Sequence, residues 1–151
     1  MTTCVVGVGN ELRGDDGVGL VVARALEGTL PKDVRVLECE GEPVSLLSAW
    51  EGCERTIVVD ATQSGAQPGT IRRIAAHDGP LPPELGRSST HLLGVAEAVE
   101  LARALDRLPG RTIVYGIEGA VFDTGAELTE AVATAAALVA ASIRRELESG
   151  R

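Results

Sequence analysis

The chain has 151 residues and a formal net charge of −8, with 14 Lys and Arg residues against 22 Asp and Glu residues. This balance argues against the basic, phosphate-neutralising face of a nucleic-acid-binding protein. One Trp, one Tyr and one Phe also leave no aromatic platform for stacking bases. The length predicts one domain, residues 1–151, that buries roughly two-thirds of its unfolded surface.

The first residues, MTTCVVGVGNE, do not have the features of a targeting segment. They contain no basic region and no small-residue cleavage site, and their apolar stretch is too short for a signal or a membrane span. We therefore expect a cytoplasmic protein with no membrane association. Cys4, Cys39 and Cys53 are odd in number and lack CxxC spacing. They are expected to be small buried side chains in a reducing compartment.

Short β-branched runs alternate with longer apolar runs at helical spacing along the chain. The predicted strands are residues 3–8 (TCVVGV), 34–39 (VRVLEC), 55–61 (RTIVVDA), 69–76 (GTIRRIAA) and 112–117 (TIVYGI). The predicted helices are marked by Val18, Val21, Val22, Ala25 and Leu26; by residues 43–50 (PVSLLSAW); by Leu92, Val95, Ala96, Val99 and Ala102; and by Leu128, Val132, Ala135, Val139 and Ile143.

The order βαβαββαβα predicts a doubly wound, three-layer α/β/α sandwich around a mostly parallel five-stranded sheet. The segment 69–76 follows its preceding strand too soon for a crossover helix. It is therefore expected to form an antiparallel edge strand with its arginines facing water. Residues 77–90 are expected to form a loop.

Four polar residues are predicted to meet where the winding of the sheet reverses. Asp15 and Asp16 follow the first strand, Asp60 ends the third, and His91 begins the helix that runs down before a parallel strand. In such sheets, ligands bind outside the carboxyl ends of the strands at this point. Because imidazole and carboxylate groups together suit nickel, zinc and iron, this convergence predicts a transition-metal site.

Each of these residues also has a structural explanation. One of Asp15 and Asp16 is expected to cap the following helix, where negative charge is favourable. Asp60 taken alone fits an Asx-turn, and a lone residue such as His91 is commonly solvated. His77 has no convergent partner and is assigned to a surface loop. The glycine spacing GxGxxxxG, with acids in the place of a pyrophosphate, does not favour nucleotide binding.

Four segments resemble the nickel-iron hydrogenase maturation proteases, endopeptidases that trim the C-terminus of the hydrogenase large subunit. They are GVGNELRGDDGVG, VVDATQSGAQPGTI, STHLLG and VYGIEGAVFDTGAELTEAV. The resemblance spans almost the whole chain, and the opening GNxLxxDDGxG pattern is its most specific part.

The resemblance implies a set of site residues and a partner. The implied partner is a large-subunit precursor that carries the nickel, processed by a monomeric protease. The predicted metal ligands are Asp16, Asp60 and His91; the predicted catalytic residues are Asp16, Asp60 and Asp15; and the predicted substrate contacts are Asn10 and Gly41.

The chain departs from the family pattern after the second strand. Family members often carry a Gly-Thr-rich loop there, whereas this chain reads ECEGEPVSLL and only Gly41 offers comparable backbone freedom. The sequence leaves open whether Asp15 or Asp16 takes a proton from water or whether nickel only docks the precursor. It also leaves open a non-catalytic nickel-binding escort module and a germination-type protease of similar fold.

Overall fold

The computed structural model of the protein describes residues 2–82 and 94–149. Within these residues, five strands form one sheet: β1 (Thr3–Val8), β2 (Val34–Cys39), β3 (Arg55–Thr62), β4 (Ile71–Ala75) and β5 (Arg111–Glu118). The helices are α1 (Val18–Leu26), α2 (Pro43–Ala49), α3 (Val95–Ala104) and α4 (Glu130–Ser149). Two short 3-10 turns cover Gly14–Gly17 and Ala76–Asp78.

The sheet order is β2-β1-β3-β5-β4, with β4 antiparallel to β5 and all other neighbours parallel. The chain passes from β1 to β2 on one side and returns to β3 on the other side of β1. The switch of winding therefore lies between β1 and β3, as predicted. The predicted three-layer fold and its antiparallel edge strand are confirmed.

The two faces of the sheet bury separate apolar clusters because neighbouring side chains on a strand point to opposite sides. Val5 and Ile57 lie in the cluster that contains α1 and α4. Val6 and Val58 lie in the cluster that contains α2 and α3. Asp60 has the same parity as Val58, so its side chain is on the α2 and α3 side of β3.

Glycines allow α1 to pack unusually close to the sheet. A Cβ on Gly7 would overlap the carbonyl oxygen of Gly19, and a Cβ on Gly19 would overlap the carbonyl oxygens of Val8 and Val59. The helix therefore rests on β1 and β3 through backbone contact. This close packing holds the loop between β1 and α1 against the carboxyl ends of both strands.

Two residues of the apolar stripe predicted for α1 are not buried in the structure. Val21 and Ala25 are exposed on α1, whereas Leu20 and Ala23 are buried. The stripe is rotated because the glycine-mediated approach puts the face that contains Gly19 and Ala23 on the sheet.

None of the helices within the described residues combines the length and apolar composition needed to cross a bilayer.

The edge strand β4 is also attached to α4, which the sequence analysis did not anticipate. Arg73 is exposed, as expected, and also donates from Nη2 to Glu146 Oε2 at 2.7 Å. Tyr115 Oη donates to Glu146 Oε1 at 2.9 Å, and buried Arg55 contacts the same carboxylate at 3.5 Å. One carboxylate thus connects β3, β4 and β5 to the last helix.

The cysteines differ from the expectation as well. The sulfur atoms of Cys4 and Cys53 are bonded to each other, with their Cα atoms 6.3 Å apart. The pair joins β1 to the turn that precedes β3. Cys39, at the end of β2, is not disulfide-bonded and is partly buried. The prediction of three reduced apolar side chains is therefore wrong for Cys4 and Cys53, because the fold brings these two distant segments side by side.

Candidate functional site

Asp60 lies near the carboxyl end of β3, at the predicted crevice, and is only 4% exposed. Its Oδ1 accepts a hydrogen bond from the backbone N–H of Ala61 at 2.8 Å. Its partner in β5 is Gly116, which has no side chain. A carboxylate is therefore held inside the fold with little hydrogen-bonding compensation, which is unfavourable for its charged form.

Asp16 lies in the 3-10 turn after β1 and is fully buried. Its Oδ2 accepts a hydrogen bond from the backbone N–H of Asn10 at 3.0 Å. Burial, together with the nearby negative charge of Asp16, raises the pKa of Asp60 well above its usual value. The structure thus brings Asp16 and Asp60 together across the crevice between β1 and β3.

Asp15 points away from this pair and holds the loop between β5 and α4. Its Oδ2 accepts from the backbone N–H groups of Ala120 at 2.8 Å and Val121 at 3.0 Å. Its Oδ1 accepts from the Thr129 N–H at 2.7 Å, and the Thr129 hydroxyl donates to the same carboxylate. Asp15 therefore fixes the start of α4 to the turn that carries Asp16.

These hydrogen bonds make Asp15 a poor proton acceptor. Burial by itself would raise the pKa of Asp15, but the bonds from Thr129, Ala120 and Val121 outweigh it and lower the pKa. The expected helix cap is also wrong, because Gly17 precedes α1 and no side chain caps that helix. Asp15 is therefore a long-range structural link rather than a helix cap.

Of the two predicted substrate contacts, Asn10 lies beside a buried carboxylate, since its backbone N–H donates to Asp16 Oδ2. Asn10 Oδ1 accepts from the backbone N–H of Leu12 at 2.9 Å and so shapes the loop after β1. Gly41 has φ +99°, a backbone conformation that favours glycine, between β2 and α2. Asn10 also lines a cleft of about 290 Å³ at this edge of the sheet, with Cys39 and Glu40 on its other side.

Cys39 lines the same cleft as Asn10, and the sequence analysis did not place it near the site. Val8 pairs with it in the sheet, and its carbonyl oxygen accepts from the Gly9 N–H at 3.0 Å. Burial is the main cause that raises the pKa of its thiol to about 11, and the charge of Asp60 adds to this. The thiol therefore stays protonated near neutral pH. Its position at the end of β2 was the available signal in the sequence.

Glu118 is the second residue that sequence reasoning missed. It is 3% exposed at the end of β5, where it pairs with Thr62, two register positions beyond Asp60. Its carboxylate accepts from the hydroxyls of Thr62 at 2.8 Å and Ser64 at 2.7 Å, and from the backbone N–H of Gly65 at 3.2 Å. Glu118 therefore fixes the loop that follows Asp60.

Only one of the two histidines lies within the described residues. His77 is partly buried, and its Nδ1 accepts from the Thr112 N–H at 3.0 Å, at the amino end of β5. It is thus remote from the crevice, and it lies partly buried in the 3-10 turn Ala76–Asp78, where a surface loop was expected. His91 lies outside the described residues. Within residues 2–82 and 94–149, no group of three or more His, Cys, Asp or Glu side chains is arranged to hold a metal ion.

Comparisons with known proteins identify the family. The family model described as Hydrogenase maturation protease (HycI) matches residues 20–146. The chain belongs to the hydrogenase maturation protease family. This is a family of endopeptidases, so the resemblance stated from the four sequence segments is confirmed.

Individual relatives agree with this assignment. The hydrogenase expression/formation protein HupD of Rhodobacter capsulatus is 31% identical over 96% of this chain and 70% of its own length. HupD of Thiocapsa roseopersicina is 28% identical over 79% of this chain, which spans only 55% of that protein. The chain therefore spans only part of the length of these two curated relatives.

Solved structures match this chain over nearly their whole length. The hydrogenase maturating endopeptidase HybD from Escherichia coli superposes with a TM-score of 0.74 at 26% identity, covering 97% of this chain and 94% of that one. The hydrogenase maturation protease HycI from Thermococcus kodakarensis gives a TM-score of 0.76 at 22% identity, covering 98% and 93%. The second likeness shows the shared fold.

Proposed function

We propose that this protein removes the C-terminal extension of a nickel-iron hydrogenase large-subunit precursor after nickel insertion. The observation that carries the proposal is the pair of buried carboxylates, Asp16 and Asp60, at the switch point of the sheet. Family membership supports proteolysis in hydrogenase maturation. The metal requirement, the precursor and the cleaved terminus are the parts we propose.

The electrostatics of the pair favour a positive partner. Two like charges buried next to each other are unfavourable, and Asp60 responds with a raised pKa. A cation or a proton relieves this repulsion. Nickel carried by the precursor fits such a donor set, because carboxylate oxygens and the imidazole of His91, the predicted third ligand, are among its usual ligands.

Asp16 and Asp60 are also the acids best placed for proton transfer. Peptide hydrolysis needs a group that accepts a proton from the attacking water and returns it to the leaving amine. Asp15 is committed to Ala120, Val121 and Thr129. We therefore assign the acid and base work to the Asp16 and Asp60 pair and a positioning task to Asp15.

The adjacent cleft supplies a surface for the precursor chain. Its walls contain Asn10, Leu12 and Cys39, and Arg24 pairs with Glu11 at 2.7 Å along one side. Leu12 is 66% exposed, so an apolar side chain stands at the rim of this cleft. We propose that the precursor segment lies along this cleft, with Asn10 and the backbone around Gly41 contacting it. The protease itself is proposed to act as a cytoplasmic monomer.

The direct test is incubation with purified large-subunit precursors, with and without nickel, followed by intact-mass measurement. We expect one shortened product only from the nickel-loaded precursor. Asp16→Asn, Asp60→Asn and His91→Ala should each abolish shortening, whereas Asp78→Asn, an exposed acid distant from the crevice, should process normally. Nickel-dependent binding without any shortening would favour the escort module instead.

A further inference from the structure

A second polar cluster lies at the opposite edge of the sheet from Asp16 and Asp60. It consists of the bonded sulfur atoms of Cys4 and Cys53 and the guanidinium of Arg35. Arg35 Nη2 is 2.9 Å from Cys53 Sγ and 3.2 Å from Cys4 Sγ. The same nitrogen donates to the backbone carbonyl oxygen of Glu51 at 3.2 Å. One cation is therefore held against both sulfur atoms.

The position of Arg35 affects the two redox states differently. A disulfide carries no charge, whereas a reduced pair can hold a thiolate. Because a guanidinium remains protonated in proteins, Arg35 stabilises the thiolate at either sulfur. A contact of this kind favours the reduced pair relative to the disulfide and increases its reactivity.

The two sulfur atoms also differ in accessibility. Cys4 is fully buried, whereas Cys53 is 8% exposed. Cys53 lines a cavity of about 630 Å³ together with Trp50, Arg107 and Gly110. A low-molecular-weight thiol or disulfide can therefore approach Cys53 from the cavity, while Cys4 is reached only through Cys53.

We propose that Cys53 and Cys4 form a thiol–disulfide exchange site for small thiols and disulfides, with Arg35 as its positioning residue. In the oxidising direction, the Cys53 thiolate attacks one sulfur of a small disulfide and releases one thiolate. Cys4 then loses its proton and attacks the Cys53 sulfur, which releases the second small thiolate. The protein gives up two electrons and two protons, and the small disulfide is reduced to two thiols.

The exchange site links redox state to the stability of the sheet. Cys4 is in β1 and Cys53 precedes β3, and 49 residues separate them in sequence. Closing a loop of this length restricts the unfolded chain, so oxidation should raise the Tm by roughly 10 °C. The proposed proteolytic site lies at the other ends of the same strands. The exchange site therefore does not depend on the proposed proteolytic function.

Equilibration in buffers of reduced and oxidised glutathione tests the couple. After acid quenching and alkylation, mass spectrometry should show Cys4 and Cys53 losing their thiols together, while Cys39 stays alkylatable. Cys39→Ser should titrate in the same way, and its oxidised form should show the same Tm increase. A pair that stays reduced in excess oxidised glutathione contradicts the proposal. So does a bond that survives excess dithiothreitol in the folded protein, since that would be a fixed structural link.

Variants at Arg35 test the positioning role. In the reduced, folded protein, Arg35→Gln should slow iodoacetamide alkylation of Cys53 by roughly three- to tenfold, and Arg35→Lys should recover part of the rate. Arg107→Gln is the matched control, because Arg107 lines the same cavity and pairs with Glu51 at 3.5 Å. Its alkylation rate should stay within about twofold of the parent. Circular dichroism checks that each variant is folded. Equal alkylation rates in Arg35→Gln and the parent would overturn the role of Arg35.

Discussion

Asp15 and Asp16 are neighbours in sequence, but their carboxylates serve different parts of the fold. The Asp15 carboxylate accepts hydrogen bonds from Ala120, Val121 and Thr129, more than 100 residues away. The Asp16 carboxylate accepts from Asn10 and faces the crevice near Asp60. The turn between β1 and α1 thereby presents one acid to the proposed site while the other attaches the loop before α4.

This division predicts separate effects of substitution at the two positions. Asp15→Ala leaves three backbone donors and one hydroxyl, in partly buried contacts, without their acceptor, so it should cost about 3–5 kcal/mol of unfolding free energy. The corresponding Tm decrease is roughly 10 °C. Asp16→Asn keeps an oxygen that can accept from Asn10, and its Tm should change by less than about 3 °C while processing is lost. Calorimetry and the precursor assay measure the two effects, and a stable Asp15→Ala variant would contradict the assignment.

The pH dependence of Asp15 should have the sign of a group with a lowered pKa. The carboxylate contributes stability above its unfolded pKa of about 4, and this contribution is lost as the pH falls through the lower folded pKa. Asp15→Asn should therefore be less stable than the parent at pH 7, and the two should converge in acid. Urea unfolding of both proteins between pH 3 and pH 7 measures the difference, and a gap that widens in acid would count against it.

Asp60 should behave in the opposite way. Its folded pKa is raised, so its ionisation opposes folding as the pH rises above the unfolded value of about 4. Asp60→Asn removes this penalty and should raise the Tm at pH 7 by roughly 3 °C, the shift that about 1 kcal/mol gives in a domain of this size. The gain should shrink towards pH 4. An active, unstabilised Asp60→Asn protein would remove this residue from the proposed site.

The glycines of the opening motif predict a packing effect. Gly19→Ala should lower the Tm by roughly 5–10 °C, because its Cβ would overlap the carbonyl oxygens of Val8 and Val59 and the backbone cannot yield cheaply. Gly110→Ala is the matched control, since nothing lies within 4 Å of its added Cβ. Thermal unfolding monitored by circular dichroism compares the two. Similar Tm values would show that α1 does not rest on the sheet so closely.

The sequence pattern predicted the strands well and the long-range polar contacts poorly. Short runs of β-branched residues can be recognised in the sequence without knowing the tertiary structure. For this reason β1, β2 and β3 begin within one residue of their predicted positions. The orientation of α1 was less predictable, because Val21 and Ala25 are as apolar as the residues that are buried. The close approach at Gly7 and Gly19, which decides the orientation, is not encoded in hydrophobic spacing.

The proposed site was predictable where topology alone brings residues together. Asp16 and Asp60 follow from the rule that carboxyl ends of parallel strands share an edge. The partners of Asp15 and Glu118 did not follow, because a hydrogen bond between a side chain and a distant loop leaves no periodic trace in the sequence. The bond between Cys4 and Cys53 required the register of β1 and β3, which only the folded chain fixes.

Metal removal distinguishes nickel brought by the precursor from a permanent catalytic metal. Two carboxylates and one predicted histidine form a weaker site than closed, Cys-rich arrangements that hold structural zinc. The purified protein should therefore contain little metal, and a chelator should leave its Tm within about 1 °C, because an ion that is not bound adds nothing to folding. Omitting nickel from the precursor should stop cleavage. Elemental analysis, calorimetry and the intact-mass assay give the three readouts. One tightly held equivalent of zinc, with activity lost on its removal even towards a nickel-loaded precursor, would instead identify an ordinary metallopeptidase.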